Sequence, residues 1–332
     1  MGDVAMLVPV VHSLAVQHPE LHVTLLTRKH LVPLYDWMPS NVEIIGVDLK
    51  NEYKGFSGLN KLYASLRNLH FQAVADMHDV LRSKYLRWRF RLSGTKCAHI
   101  NKGRKEKKRL IGKATTSAAL PPMTGRYSDV LKELGLPVKL DYQKAFKQGK
   151  EDLTALIKLI GEKDEGMKWI GIAPFAAHQN KIYPLDKMHE VVKALASETC
   201  RVFLFGAGKK EKDVLESWAD GKGVVSVCGK LGGLHNEMLL MSMLDAMVAM
   251  DSANMHIASI VGVPVISVWG ATHPKAGFIP WNQPSDNIIQ VDGLQCRPCS
   301  VYGNKPCQFG DLRCMNKITP QTIIEKIRTV TC

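Results

Sequence analysis

In the stretch "VAMDSANMHIASIVGVPVISVWG", Asp251, Ser252 and Ala253 follow a short apolar run and precede a helical one. Residues of these types open a helix, leaving its first backbone N–H groups aimed at whatever lies beyond the strand. An anion binds at such a point, and His256, in the first turn, adds a donor for a phosphate oxygen. The bland alternative is a capped helix whose histidine faces a neighbouring loop; the strand end and the small residue beside it favour the anion site. In "GIAPFAAHQNKIYPLDKMHEVV" Lys181 lies on a polar loop between a buried run and a helix opening near Pro184, where it can reach a phosphate as a point charge. "VFLFGAGKKEKD" places Gly206 and Gly208 after an apolar run, like a phosphate loop without its third glycine; close helix–strand packing explains the pair nearly as well. Gly232 and Gly233 precede a segment carrying Glu237, whose carboxylate suits ribose hydroxyls. Cys296, Cys299, Cys307 and Cys314 are separated by two, seven and six intervening residues. Four reduced, packed thiols are the default reading. The alternative is a tetrahedral four-thiolate zinc site, although the second pair is too widely spaced for a ribbon's knuckle; such a site has no open position, so it would be structural.

Those residues need elements to hold them. Short β-branched apolar runs alternate with amphipathic segments, the pattern of parallel sheets covered by helices. Strands are predicted at 22–27, 42–47, 73–77 and 97–100, and again at 169–173, 202–205, 224–227, 246–249 and 265–269. This makes two doubly wound α/β units, with residues 1–150 as one domain, 151–332 as the other, and 140–151 as the linker. In open α/β sheets the ligand crevice lies beyond the carboxyl ends of the strands, where the anion-binding candidates stand. The opening "MGDVAMLVPVVHSL" is a Gly-Asp turn entering a helix with no strand before it, so the first sheet lacks its first strand. The reading frame is expected to continue upstream of Met1 into roughly ten apolar, β-branched residues, an ordinary strand with its lead-in.

A chain of 332 residues with 45% hydrophobic and 23% charged residues is an ordinary globular protein with room for two cores. No apolar run approaches the ~20 residues of a membrane span, and no basic region followed by an apolar core marks a signal peptide, which points to the cytoplasm. The net charge of +13 is unevenly placed: residues 1–150 hold 25 Lys and Arg against 12 Asp and Glu, and the remainder holds 19 of each. Residues 82–113 alone carry 13 basic residues and one acid, Glu106, a field that attracts phosphates on a lipid surface or a nucleic acid. A nucleic-acid-binding protein using this field and the cysteines is the rival reading. Against it, only Tyr85, Trp88 and Phe90 could stack on bases, and two whole α/β units would lack a purpose.

In this order the motifs resemble the second half of glycosyltransferase family 9, the lipopolysaccharide heptosyltransferases and their relatives. "GDVAMLVPVVHSL" is similar to the family's opening turn and helix, and "ADMHDVLRSKYLRWRFRLSG" to its Asp-x-x-x-x-x-Arg-Ser segment; Asp251-Ser252-Ala253-x-x-His256 departs from the usual Asp-Thr-Gly-x-x-His at two positions. The resemblance implies a GT-B fold, two Rossmann-like domains facing across a cleft, with acceptor on the first and nucleotide-sugar on the second. It implies Asp3 as the base of an inverting transfer, and Lys181, the helix start at Ser252 and Ala253, and His256 as the groups that stabilise the leaving diphosphate without a metal ion. From the residues alone, Asp3 reads as a helix cap. The implied donor is a nucleotide-sugar, plausibly ADP-heptose, contacted also by Gly206, Glu237 and Asp251. The implied acceptor is a phosphorylated lipid-linked saccharide met by Arg82, Ser83, Arg104, Lys105, Lys107 and Lys108 at an anionic inner-membrane surface. A relative using another nucleotide-sugar is the enzymatic alternative.

Overall fold

The computed structural model describes residues 1–146, 151–197 and 199–332, so the predicted 140–151 linker lies partly outside the described residues. The chain divides into two compact units.

Unit 1 comprises Met1, Asp3–Arg104 and Pro121–Tyr142. Its elements run α1 (Gly2–Gln17), β1 (Val23–Arg28), β2 (Val42–Val47), α2 (Gly55–Arg67), β3 (Ala73–Asp76), α3 (Leu81–Leu92) and β4 (Lys96–His99), then α4 (Arg104–Arg109) at its border and α5 (Met123–Glu133). Helix α1 is apolar nearly all round and buries Ala5 to Val11, Ser13, Leu14 and Ala15, as a helix without a polar stripe must. Tyr35 ties it down by donating from its hydroxyl to the Val4 carbonyl at 2.6 Å. The four strands form two separate parallel pairs, β1 with β2 and β3 with β4. Val23 lies opposite Val42, and Ala73 opposite Lys96. A small core of Val47, Leu62, Tyr63, Leu66 and Phe90 joins β2, α2 and α3.

Unit 2 holds the remaining helices and one six-stranded parallel sheet. Its elements are α6 (Thr154–Ile160), β5 (Lys168–Ala173), α7 (Leu185–Leu195), β6 (Cys200–Leu204), α8 (Lys209–Trp218), β7 (Val224–Ser226), α9 (Leu234–Ser242), β8 (Ala246–Met250), α10 (Ala253–Ile260), β9 (Val265–Trp269), β10 (Ile288–Gln290), α11 (Arg313–Asn316) and α12 (Pro320–Thr331). The strand order is β10-β9-β8-β5-β6-β7. From β5 the chain winds first toward β7 and then returns to the other side through β8, so the order reverses between β5 and β8. A doubly wound sheet binds ligands beyond the carboxyl ends of such a pair. Strands β8 and β9 are buried at every residue, which is why their sequences read as continuous apolar runs rather than alternations.

Residues 105–120 belong to unit 2, although the sequence division placed them in the first domain. Two backbone bonds hold them there, from Gly112 N to the Pro298 carbonyl (3.1 Å) and from Leu120 N to the Lys275 carbonyl (2.9 Å). Lys275 Nζ donates to the carbonyls of Ala114 (2.7 Å) and Ser117 (2.9 Å). A polar segment rich in lysine offers no local pattern that would disclose this docking. The strand β10 was also missed, three residues being too few to show a period.

Candidate active site

In unit 2 the loop after β5 and the turn after β8 meet through one carboxylate. Asp251 Oδ2 accepts from Lys181 Nζ at 2.9 Å and from Thr272 Oγ1 at 2.7 Å. Asp251 and Thr272 are buried, so the pair is screened little by solvent. Lys181 has three N–H donors, and one bond to Asp251 leaves two for a ligand. The aliphatic stem of Lys181 lies close against Gly303: a Cβ built there would stand 2.5 Å from Lys181 Cγ. Because Gly303 also has φ +75°, a side chain would be strained as well as crowded.

Helix α10 begins immediately after this carboxylate. Ser252 occupies the cap position with extended backbone, yet its side chain makes no capping bond, and its Oγ is shielded from solvent without a hydrogen-bond partner. The sequence suggested a capped start; here the side chains leave the N–H groups of the first turn undirected, the arrangement that receives an anion. His256 is buried in the same helix.

The other two donor-side candidates lie along the same carboxyl edge. Gly206 follows β6, where a Cβ would stand 2.8 Å from Leu215 Cδ1 and 3.1 Å from Glu211 Oε2. The adjacent Ala207 N–H donates to Glu211 Oε2 at 2.8 Å. This loop therefore spends an amide on its own helix, and close packing accounts for Gly206. Glu237, in the first turn of α9, is half-buried, and burial raises its pKa.

The support for Asp251 and Lys181 includes a residue that the sequence reading passed over. Arg297 is buried, and its Nε donates to the Gly270 carbonyl (2.5 Å), while its terminal nitrogens donate to the carbonyls of Val291 (2.9 Å) and Thr272 (2.9 Å). It fixes the stretch after β9 that carries Thr272. The cysteines around it drew the eye to metal binding, but among the described residues no group of three His, Cys, Asp or Glu side chains is arranged to hold a metal ion. Cys296, Cys299, Cys307 and Cys314 are free thiols. Burial pushes Cys299 up and Cys314 up to about 11, and the Cys299 Sγ–H points to the Cys296 carbonyl at 3.5 Å.

His273, next to Thr272, carries a pH dependence. Burial, with Arg297 and Lys275 nearby, lowers its pKa from 6.5 to about 4, and its Nδ1 accepts from Lys275 N at 3.2 Å. The folded ring is neutral at pH 5, whereas the unfolded ring gains a proton below 6.5. Stability is fully present above pH 6.5 and lost as pH falls toward 4. The midpoint of urea unfolding should therefore drop between pH 7 and pH 5, and His273→Asn, which keeps an acceptor, should reduce that drop.

In unit 1, Asp3 sits in the first turn of α1. Its Oδ2 is 3.9 Å from Lys102 Nζ, and Tyr127 donates to its carbonyl at 3.2 Å. Beyond β3 a second cluster forms around Asp79: Arg87 lies 2.8 Å from Asp76 and 3.4 Å from Asp79, Arg104 3.1 Å and Lys84 3.6 Å from Asp79. Burial alone would raise the Asp79 pKa, but Lys84, Arg104 and Arg87 hold it below the usual range. Ser83 exchanges hydrogen bonds with the Val80 backbone (3.0 and 3.1 Å), starting α3, while Arg82 is exposed. The basic run does not act as one field. Arg104 is paired with Asp79, Lys107 is buried with its ammonium 4.0 Å from the centre of the Phe278 ring, and Lys105, Lys108, Arg109 and Lys113 are exposed.

Two units built on parallel strands, the second a doubly wound six-stranded sheet, fit the GT-B fold. The solved E. coli ADP-heptose lps heptosyltransferase II has a TM-score of 0.71 and 17% identity to this chain, over 98% of this chain and 94% of that one. The chain belongs to glycosyltransferase family 9 (heptosyltransferase), whose pattern matches residues 59–308. It is 25% identical to lipopolysaccharide heptosyltransferase 3 of E. coli K12 over 87% of this chain and 84% of the relative. It is 23% identical to lipooligosaccharide heptosyltransferase 2 of Campylobacter jejuni (strain 81116) over 59% of this chain and 57% of that relative, so the second match spans little more than half the relative's length.

Proposed function

We propose that this enzyme is an inverting glycosyltransferase that moves a heptose from ADP-heptose onto a phosphorylated, lipid-linked saccharide of the lipopolysaccharide core or its lipid A precursor. The observation that carries the reading is the uncapped start of α10 beside a lysine held by a buried aspartate. An acceptor hydroxyl attacking the anomeric carbon must lose a proton as the nucleoside diphosphate leaves from the opposite side. Asp3 takes the proton. Lys181, the α10 amides from Ala253 onward and His256 receive the negative charge that develops on the diphosphate, so this scheme routes no step through a metal. Asp251 fixes the ammonium of Lys181, Ser252 adds its hydroxyl, and Glu237 accepts from ribose hydroxyls. Gly206 keeps the backbone low at the carboxyl edge. On the acceptor side Arg82, Lys105 and Lys108 offer exposed cations, and Ser83, Arg104 and Lys107 shape the segments that carry them. The names of the similar proteins support lipopolysaccharide as substrate and ADP-heptose as donor.

Among the described residues no helix is long and apolar enough to cross a membrane; we place the enzyme at the cytoplasmic face of the inner membrane, held peripherally. A thermal-shift panel of nucleotide-sugars tests the donor. A donor at a hundredfold excess over its Kd should stabilise the fold by about 2.7 kcal/mol. Stabilisation by ADP-heptose alone supports the proposal, stabilisation by a different nucleotide-sugar replaces the donor, and stabilisation by none defeats it.

A further inference from the structure

Helix α3 presents a face that the transfer reaction does not use. Leu81, Tyr85, Trp88 and Leu92 recur at the spacing that places them within about 60° of arc on one side of the helix. Leu81 is 87% exposed, Trp88 55% and Leu92 67%. The exposure is not a packing accident of a mobile end, because the opposite side of the helix is anchored: Phe90 is buried in the core with Tyr63 and Leu66, and Arg87 is bound to Asp76. Phe56 of α2, 66% exposed, extends the face, with its ring 4.8 Å from that of Tyr85, which lies 6.2 Å from Trp88. Arg89 locks the aromatic tier by bonding to Asn60 (2.6 Å) and the Tyr85 hydroxyl (2.8 Å) while lying over the Tyr63 ring. Basic residues border the stripe on both sides, Arg82 and Arg89 on one and Lys84 and Arg91 on the other, and α3 contains no acid.

We propose that this face is a docking surface for an anionic lipid bilayer, with α3 lying in the headgroup plane, its leucines and Trp88 entering the acyl boundary and its flanking cations meeting phosphodiesters. The charge pattern requires an anionic partner, and the leucines select among anionic partners. Bases stack on aromatic rings but gain little from exposed aliphatic side chains, whereas an amphipathic helix with leucine and tryptophan between arginines matches a membrane interface. An apolar stripe flanked by cations also explains why the basic residues of the 82–113 run on α3 lie beside exposed leucines instead of polar residues. The inference deepens the lipid-linked acceptor reading above, on which its biological sense rests, but its test does not need transfer to occur.

The full chain is sedimented with vesicles of phosphatidylglycerol and phosphatidylethanolamine, and with vesicles of phosphatidylcholine alone. Binding should favour the anionic vesicles by at least tenfold. The triple variant Leu81→Ser, Trp88→Ser, Leu92→Ser should bind them at least tenfold more weakly, with an unchanged circular dichroism spectrum and unchanged transfer to a de-acylated, soluble acceptor. Lipids brominated near the headgroup end of the acyl chain should quench a part of the tryptophan emission that is lost in Trp88→Phe. A single-site variant that folds normally keeps the test valid if the triple one does not. Vesicle binding unchanged in the variants, Trp88 left unquenched, or tighter binding to single-stranded DNA through the same residues overturns the proposal. Normal vesicle binding with no transfer from any donor upholds the docking face and defeats the transfer reading instead.

Discussion

Asp3→Asn is expected to lower kcat by roughly 100- to 10,000-fold, the range that a positioned general base contributes, with donor-dependent thermal stabilisation retained. The two readings of this residue make different demands. As a helix-start residue, Asp3 helps α1 only through the dipole, worth about 0.3 to 1 kcal/mol, and its amide counterpart would cost a small loss of stability with no loss of rate. As the base, its carboxylate is indispensable because the acceptor oxygen cannot complete its attack while keeping its proton. The cap position of α1 is Met1, no side-chain cap bond forms, and the Asp3 carboxylate is 44% exposed with Lys102 3.9 Å away, so the carboxylate is not spent on capping. Single-turnover rates of the variant decide the matter, and a rate within threefold of the native one would remove Asp3 from the mechanism.

Lys181→Ala should cost roughly 2 to 4 kcal/mol in the transition state, a fall in kcat/KM of about 30- to 1,000-fold. The ammonium is held by Asp251 before the donor arrives, so its contribution is not reduced by the entropy of ordering a long side chain. Removing it also leaves Asp251 with one bond, from Thr272, in a buried position; some loss of stability should accompany the loss of rate. Lys181→Arg is informative because a planar fork cannot reproduce a point charge against the Gly303 backbone. Comparable kinetics in Lys181→Ala and the native enzyme would show that the loop after β5 does not serve the diphosphate.

Much of the fold is legible in the sequence. The nine predicted strands all formed within a residue or two of their expected ends; in unit 2 this is because burial on both faces makes β8 and β9 visible as apolar runs. The position after a strand located Asp251 and Lys181, and the same rule applied after β9 would have found Thr272. Arg297 was beyond such reading: its role depends on carbonyls at Gly270, Thr272 and Val291, brought together only by the fold. The four cysteines left two readings open for a related reason, since spacing along the chain does not state where thiols point. Lys107 shows the limit of charge counting. A basic run predicts solvation, and the neighbouring aromatic ring of Phe278 helps to make burial of one lysine tolerable.

The two separate strand pairs of unit 1 bear on how the chain breathes. Among the described residues each of β1, β2, β3 and β4 has one edge bonded to a strand and one edge that no strand covers, whereas β8 and β9 are flanked on both sides. Amides turned to the uncovered edges open by small local fluctuations, and those of β8 open only when the whole sheet comes apart. In heavy water the chain should thus label in two populations, the strands of unit 1 within the early time points and the centre of the unit 2 sheet at the last, and the turn after β8 that carries Asp251 inherits the slower, more rigid half.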